Sequence, residues 1–147
     1  AAQMAEAVQR ALPADVAVFA AAVADWRVSN SSPTKLKKDK SGNTPALTFA
    51  ENPDILATVA QMAEGRPKLV VGFAAETNDV ISHATAKRVR KQCEWIIAND
   101  VSPSTGIMGG TENAVTIITT DGAEEWPRLP KDEVARRIAL RIAKVIE

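Results

Sequence analysis

The sequence predicts an α/β fold: a Rossmann-like three-layer sandwich with a mostly parallel sheet and helices on both faces. Three observations predict it. Apolar runs begin at Val16, Leu69 and Trp95, and their continuity suits strands covered on both faces better than strands with one wet face. Helix-like stretches separate these runs, as right-handed βαβ crossovers require. Each run finishes in polar residues, Asp25, Glu76 and Asn99, and open α/β sheets bind ligands beyond the carboxyl ends of their strands.

The totals agree with one soluble domain spanning residues 1–147. A composition of 46% hydrophobic and 24% charged residues over 147 positions permits a substantial core. Lys plus Arg and Asp plus Glu are both 18, so no broad attraction to nucleic acid or membrane is indicated, and no apolar run approaches a membrane span. A single cysteine, Cys93, and a single histidine, His83, exclude an intrachain disulfide, a multi-thiolate metal site and a His-based cage or triad. They favour a reducing, cytoplasmic setting. Both residues read as structural.

In chain order, Ala1 to Leu12 places Met4, Val8 and Leu12 four apart before Pro13, which predicts a helix feeding the first strand. The run V-A-V-F-A-A-A-V-A then ends abruptly in Asp25, Trp26 and Arg27. Side chains no larger than Cβ at Ala20 to Ala22 let a ligand approach the backbone, a milder version of what glycine does. Trp26 reads as a loop anchor. Residues 28–46 carry turn chemistry and four lysines between Lys35 and Lys40. A solvated loop accounts for them, as does a basic loop that folds over a polyphosphate.

Leu47 to Ala50 predicts a short strand, and Glu51-Asn52-Pro53-Asp54-Ile55-Leu56 a helix start with Asn52 as N-cap and Pro53 at the first helical position, running to about Glu64. Such a terminus offers free N–H groups to an anion if it faces a cleft. After the strand from Leu69, Thr77 or Asn78 caps a helix that carries Lys87 and Lys91 on one face; cations near a helix C-terminus also suit the macrodipole without any ligand. Glu76 reads as part ligand group, part helix cap. Trp95 to Ala98 is the third run, and the loop 102–110 resembles a phosphate loop only superficially. Ala114 to Thr119 is β-branched, Asp121-Gly122 is a turn, and Pro130 to Ile146 is an amphipathic helix.

Taken together, A-A-A-V-A-D-W, K-L-K-K, N-P-D-I-L, G-F-A-A-E-T, Lys87 with Lys91, and A-N-D-V-S resemble phosphopantothenoylcysteine synthetase, the bacterial CTP-dependent enzyme of coenzyme A biosynthesis. The resemblance runs over nearly the whole chain and implies a ligase. CTP activates the carboxylate of 4′-phosphopantothenate as an acyl-cytidylate, and the amine of L-cysteine then displaces CMP. It implies that Phe19, Ala20, Ala21 and Asp25 line the nucleotide site, that Lys35 meets the triphosphate and is catalytic, and that Pro53, Asp54, Ile55 and Leu56 border the nucleotide. Phe73 then packs against it, and Lys87 and Lys91 complete the contacts. Mg2+ and Lys35 offset charge on the departing pyrophosphate; which residues hold the metal is left open. The family also implies a homodimer, to which Ala114 to Thr119 contributes, and fusion or association with a flavin-dependent decarboxylase. No FMN is expected here. The family opens with a strand–turn segment whose asparagine handles the acyl intermediate, and the resemblance begins after it. The chain is therefore expected to be the carboxyl-terminal part of the synthetase, with nucleotide binding kept, full catalysis in question and one sheet edge left open.

Two other readings compete. A noncatalytic nucleotide-binding or interaction module on the same sheet would not distinguish CTP from ATP. An NAD(P)-dependent dehydrogenase needs a G-x-G-x-x-G turn, which the sequence lacks. Nucleic-acid binding would need a wider basic footprint than Lys35 to Lys40.

Overall fold

Two of the three apolar runs form the middle of the sheet in the structure, a computed structural model that describes residues 1–31, 34 and 46–147. They are β4 (Leu69–Glu76) and β5 (Trp95–Asp100). Val70, Val71, Ile96, Ile97 and Ala98 are fully buried, which is the two-sided burial that their continuity predicts. β1 (Val16–Phe19) pairs parallel with β4, from Val16 beside Leu69 to Phe19 beside Gly72. β4 pairs parallel with β5, Phe73 beside Ile97. The hairpin of β7 (Thr116–Thr119) and β8 (Gly122–Glu125) extends the sheet antiparallel, giving the order β1-β4-β5-β7-β8. Gly122, at φ +130°, makes the predicted turn without the steric cost another residue would meet there.

Helices cover both faces. Val70, Ala74, Ile96, Ala98 and Ile118 point to one side, where α1 (Ala2–Ala11), α2 (Ile55–Ala60) and α3 (Val80–Lys91) contribute Val8, Leu56, Val59 and Ala84. Leu69, Val71, Trp95 and Ile97 point to the other, against Val134, Ile138 and Ile142 of α4 (Lys131–Ile146). The period of two along each strand sorts the side chains between these layers. Two small antiparallel pairs lie outside the main sheet: β2 (Trp26–Val28) with β3 (Phe49–Glu51), and β6 (Glu112–Asn113) with β9 (Leu129–Pro130).

Several expected boundaries move. The first strand stops at Phe19, its last partner being Gly72. Ala20 to Ala22 have little side chain to bury and a weak preference for strands, so Asp25 does not end that strand; it precedes β2. The helix expected to start at Asn52 and run to Glu64 is six residues long. It stops where Arg66 Nε donates to the Ala60 carbonyl at 2.6 Å. The α3 cap falls on Asp79, whose φ of +45° lies in the left-handed region, with no side-chain hydrogen bond.

Arg66 also joins the lower ends of these elements. Its guanidinium donates to Gln92 O at 3.3 Å and to Glu94 Oε1 at 2.7 Å, while Glu94 Oε2 accepts the Val70 N–H at 2.8 Å. Glu94→Ala would strand a fully buried backbone donor. A loss of about 1–3 kcal/mol is expected, seen in urea as a lower midpoint with unchanged slope.

Candidate functional site

Two segments far apart in sequence meet beyond the carboxyl end of β1. The Asn52 N–H donates to Asp25 O at 2.8 Å, and Asn52 Nδ2 donates to Ala24 O at 2.8 Å. Arg27 returns the contact, donating to Glu51 O and, at 3.5 Å, to Asn52 Oδ1. The 20–25 turn is thereby held against the lead into α2. Asp54, not Asn52, caps α2: its Oδ1 accepts the Ala57 N–H at 3.0 Å.

The helix sits close to the sheet because β4 carries no side chain beneath it. A Cβ on Gly72 would lie 2.6 Å from Leu56 Cδ2 and 2.8 Å from Ile96 Cδ1, so any larger residue there would force these side chains to move. From α3, Lys91 Nζ donates to Asp54 Oδ2, and Lys87 Nζ donates to the Phe73 carbonyl at 3.0 Å. Both ammonium groups thus reach the α2–β4 region from the shared helix face that their spacing predicts.

The carboxyl of Asp54 lies below its ordinary value of 3.8. Partial burial opposes ionisation, but the Lys91 and Ala57 hydrogen bonds and the charges of Lys91 and Arg90 outweigh it. A folded-state value below the unfolded one adds stability that is complete above pH 3.8 and is lost as pH falls through the folded value. Asp54→Asn keeps a cap and removes the charge pair. A cost of roughly 0.5–1 kcal/mol is expected at pH 7, small because the carboxyl is half exposed. Thermal midpoints of the two proteins should converge as pH is lowered below 4.

The remaining expected residues are distributed as follows. Ala20, Ala21 and Asp25 are exposed at the turn. Phe19 is half-buried against the layer of α1, α2 and α3. Pro53 and Ile55 line a cavity of about 410 Å³ between α1 and α2, with Glu6, Gln9, Arg10 and Thr58. Phe73 is divided: its carbonyl meets Lys87, whereas its ring packs in the layer of α4, away from Leu56. Lys35 lies outside the described residues. Asn99 and Asp100 line a larger cavity of about 660 Å³ with Asp79, Ser82, Thr116 and Trp126. Among the described residues no group of three or more His, Cys, Asp or Glu side chains could hold a metal ion, and both Asp54 oxygens are engaged.

A family model described as DNA/pantothenate metabolism flavoprotein C-terminal domain matches residues 1–146. The chain belongs to this family. Among its relatives, the coenzyme A biosynthesis bifunctional protein CoaBC of Vibrio cholerae is 40% identical over 121 residues, 82% of this chain and 30% of the relative. CoaBC of Escherichia coli is 39% identical over 127 residues, 86% and 31% of the two chains. The crystal structure of a CoaBC C-terminal domain superposes with a TM-score of 0.73 at 33% identity, covering 99% of this chain and 62% of that one. This member of the flavoprotein C-terminal domain family thus spans about a third of the length of those curated relatives. The family that the sequence motifs resemble and the family found by comparison agree.

Sequence reasoning missed Gly72 and the part that Asn52 plays in shaping this site. Gly72 was open to detection, since a glycine inside an apolar strand marks a close approach. The bonds of Asn52 to residues 24–27 carry no local signal, because its partners are 25 to 28 positions away.

Proposed function

We propose that the chain is the synthetase part of a phosphopantothenate–cysteine ligase of coenzyme A biosynthesis, using CTP. The observation that carries this reading is the convergence of the 20–25 turn, the capped start of α2 and the α3 lysines at the carboxyl end of the β1–β4 pair. Its membership in a family whose relatives are named for coenzyme A biosynthesis supports it. A carboxylate oxygen of 4′-phosphopantothenate attacks the α-phosphorus of CTP, and pyrophosphate leaves. The cysteine amine then attacks the acyl carbon, CMP leaves, and the amine nitrogen loses a proton.

The chain's own residues bind and orient. Exposed backbone at Ala20 and Ala21 admits the nucleotide closely, and Lys87 and Lys91 supply positive charge beside the start of α2. Lys35 delivers charge to the triphosphate. Mg2+ enters with CTP, and the second copy of a homodimer and a flavin-dependent decarboxylase are its partners in the cytoplasm. No helix among the described residues is long and apolar enough to cross a membrane.

Calorimetric titration with CTP and with ATP, each with magnesium, tests the reading. Saturable binding that prefers CTP is expected, because an enzyme site reads the base through polar contacts. Equal affinity for both nucleotides would favour a general phosphate-binding module. No binding to a folded sample would overturn the assignment of a nucleotide site to these residues.

A further inference from the structure

We propose that Asn52 is a positioning residue of the nucleotide site, a clasp that holds the 20–25 turn and the start of α2 in one register. The inference rests on the nucleotide reading above and adds a residue to it. Asn52 looks like a helix cap in the sequence, yet Asp54 performs that role. What Asn52 does instead is directed entirely at the other segment. Its backbone N–H and its Nδ2 hold two consecutive carbonyls, those of Asp25 and Ala24, each at 2.8 Å. Its Oδ1 accepts from Arg27 at 3.5 Å.

Holding two successive carbonyls fixes the peptide plane between Ala24 and Asp25 and so sets the direction of the Asp25 side chain. On the other side, Pro53 follows directly and limits the backbone freedom of its predecessor, so any shift of Asn52 is transmitted to the Asp54 cap. The start of α2 is anchored by the buried Ile55, but the turn is not packed deeply: Ala20, Ala21, Ala24 and Asp25 are exposed. Hydrogen bonding, not burial, therefore keeps the turn in place. A ligand touching both segments binds more tightly when their relative placement is already paid in folding.

The same chemistry occurs farther out on the β2–β3 pair, where it serves as a control. Asn30 Nδ2 donates to Ala46 O at 2.9 Å, and its Oδ1 accepts the Thr48 N–H at 3.0 Å. Asn30 joins the segment that follows β2 to the one that precedes β3 but touches neither segment of the site.

The experiment measures the dissociation constant for MgCTP and the thermal midpoint in wild type, Asn52→Ala, Asn52→Asp and Asn30→Ala, with amide exchange on each. Asn52→Asp removes the donor to Ala24 O while keeping the shape and the acceptor for Arg27. Both Asn52 variants are expected to raise the dissociation constant about tenfold, the equivalent of one lost hydrogen bond, and to speed exchange in the lead into α2. Asn30→Ala should change CTP affinity less than twofold. Wild-type affinity in a folded Asn52→Asp protein, or equal losses in the Asn30 and Asn52 variants, would overturn the positioning role. If wild type itself fails to bind CTP, the nucleotide reading fails. The clasp is still tested by exchange, since unchanged rates around residues 24 and 53 would show that Asn52 holds neither segment.

Discussion

Gly72→Ala is expected to cost about 1 kcal/mol of stability, and to weaken CTP binding as well. The added methyl would sit 2.6 Å from Leu56 Cδ2 and 2.8 Å from Ile96 Cδ1, closer than carbon atoms approach. Ile96 is fully buried in the central strand and has no direction in which to yield. Leu56 is only half-buried, so its side chain takes most of the displacement. Overpacking of this kind costs about 1–3 kcal/mol, and the ~0.5–1 kcal/mol that alanine gains over glycine in chain entropy offsets part of it. For a domain of this size the thermal midpoint should fall by roughly 2–4 °C. Leu56→Ala supplies the check on cause. Alone it destabilises by leaving a cavity, but combined with Gly72→Ala it makes room for the new methyl, and the pair should cost less than the sum of the single changes. Additive losses would mean that the methyl and Leu56 do not meet.

The central layer of the fold was legible because burial leaves a trace in composition. β4 and β5 lie under helices on both sides, and their runs contain no polar residue until the carboxyl end. The ribbon of β2 and β3 was legible only in part: the strand expected at Leu47 to Ala50 overlaps β3 at Phe49 and Ala50, whereas β2 left no such trace. Trp26 and Phe49 are 58% and 61% exposed, so the hydrophobic pattern that marks a strand against a core is absent. The apolar run from Val16 to Ala24 also hides the break after Phe19. α2 was recognised but misframed. Asn52 and Asp54 are both good caps two residues apart, and the choice between them was settled by Ala24 and Asp25, which local reasoning does not see. The direction of the Phe73 ring follows from strand parity, yet parity assigns a side only once Gly72 is known to face α2. The antiparallel hairpin at the end of the sheet was announced by Asp121-Gly122, whereas its pairing with β5 depended on tertiary packing.

Lys35→Gln is expected to lower turnover by about 10²–10³-fold, the usual effect of removing one group that stabilises charge in a transition state, with little change in the thermal midpoint. Lys35 lies outside the described residues, so the expectation rests on the proposed chemistry and on what the described site lacks. The described lysines near the site are already engaged: Lys91 with Asp54, and Lys87 with the Phe73 carbonyl. Neither is free to follow the charge that builds on pyrophosphate as it departs. A lysine from the K-L-K-K segment would meet that need, since an ammonium is a compact point charge on a flexible stem. Removing it should affect the step that forms the acyl-cytidylate more than CTP binding itself. Pyrophosphate release in a single turnover and the dissociation constant for CTP separate the two. A large loss of affinity with an unchanged single-turnover rate would make Lys35 a binding residue only. A small effect on both would transfer its role to Lys37 or Lys38, and the corresponding glutamine variants would then carry the loss.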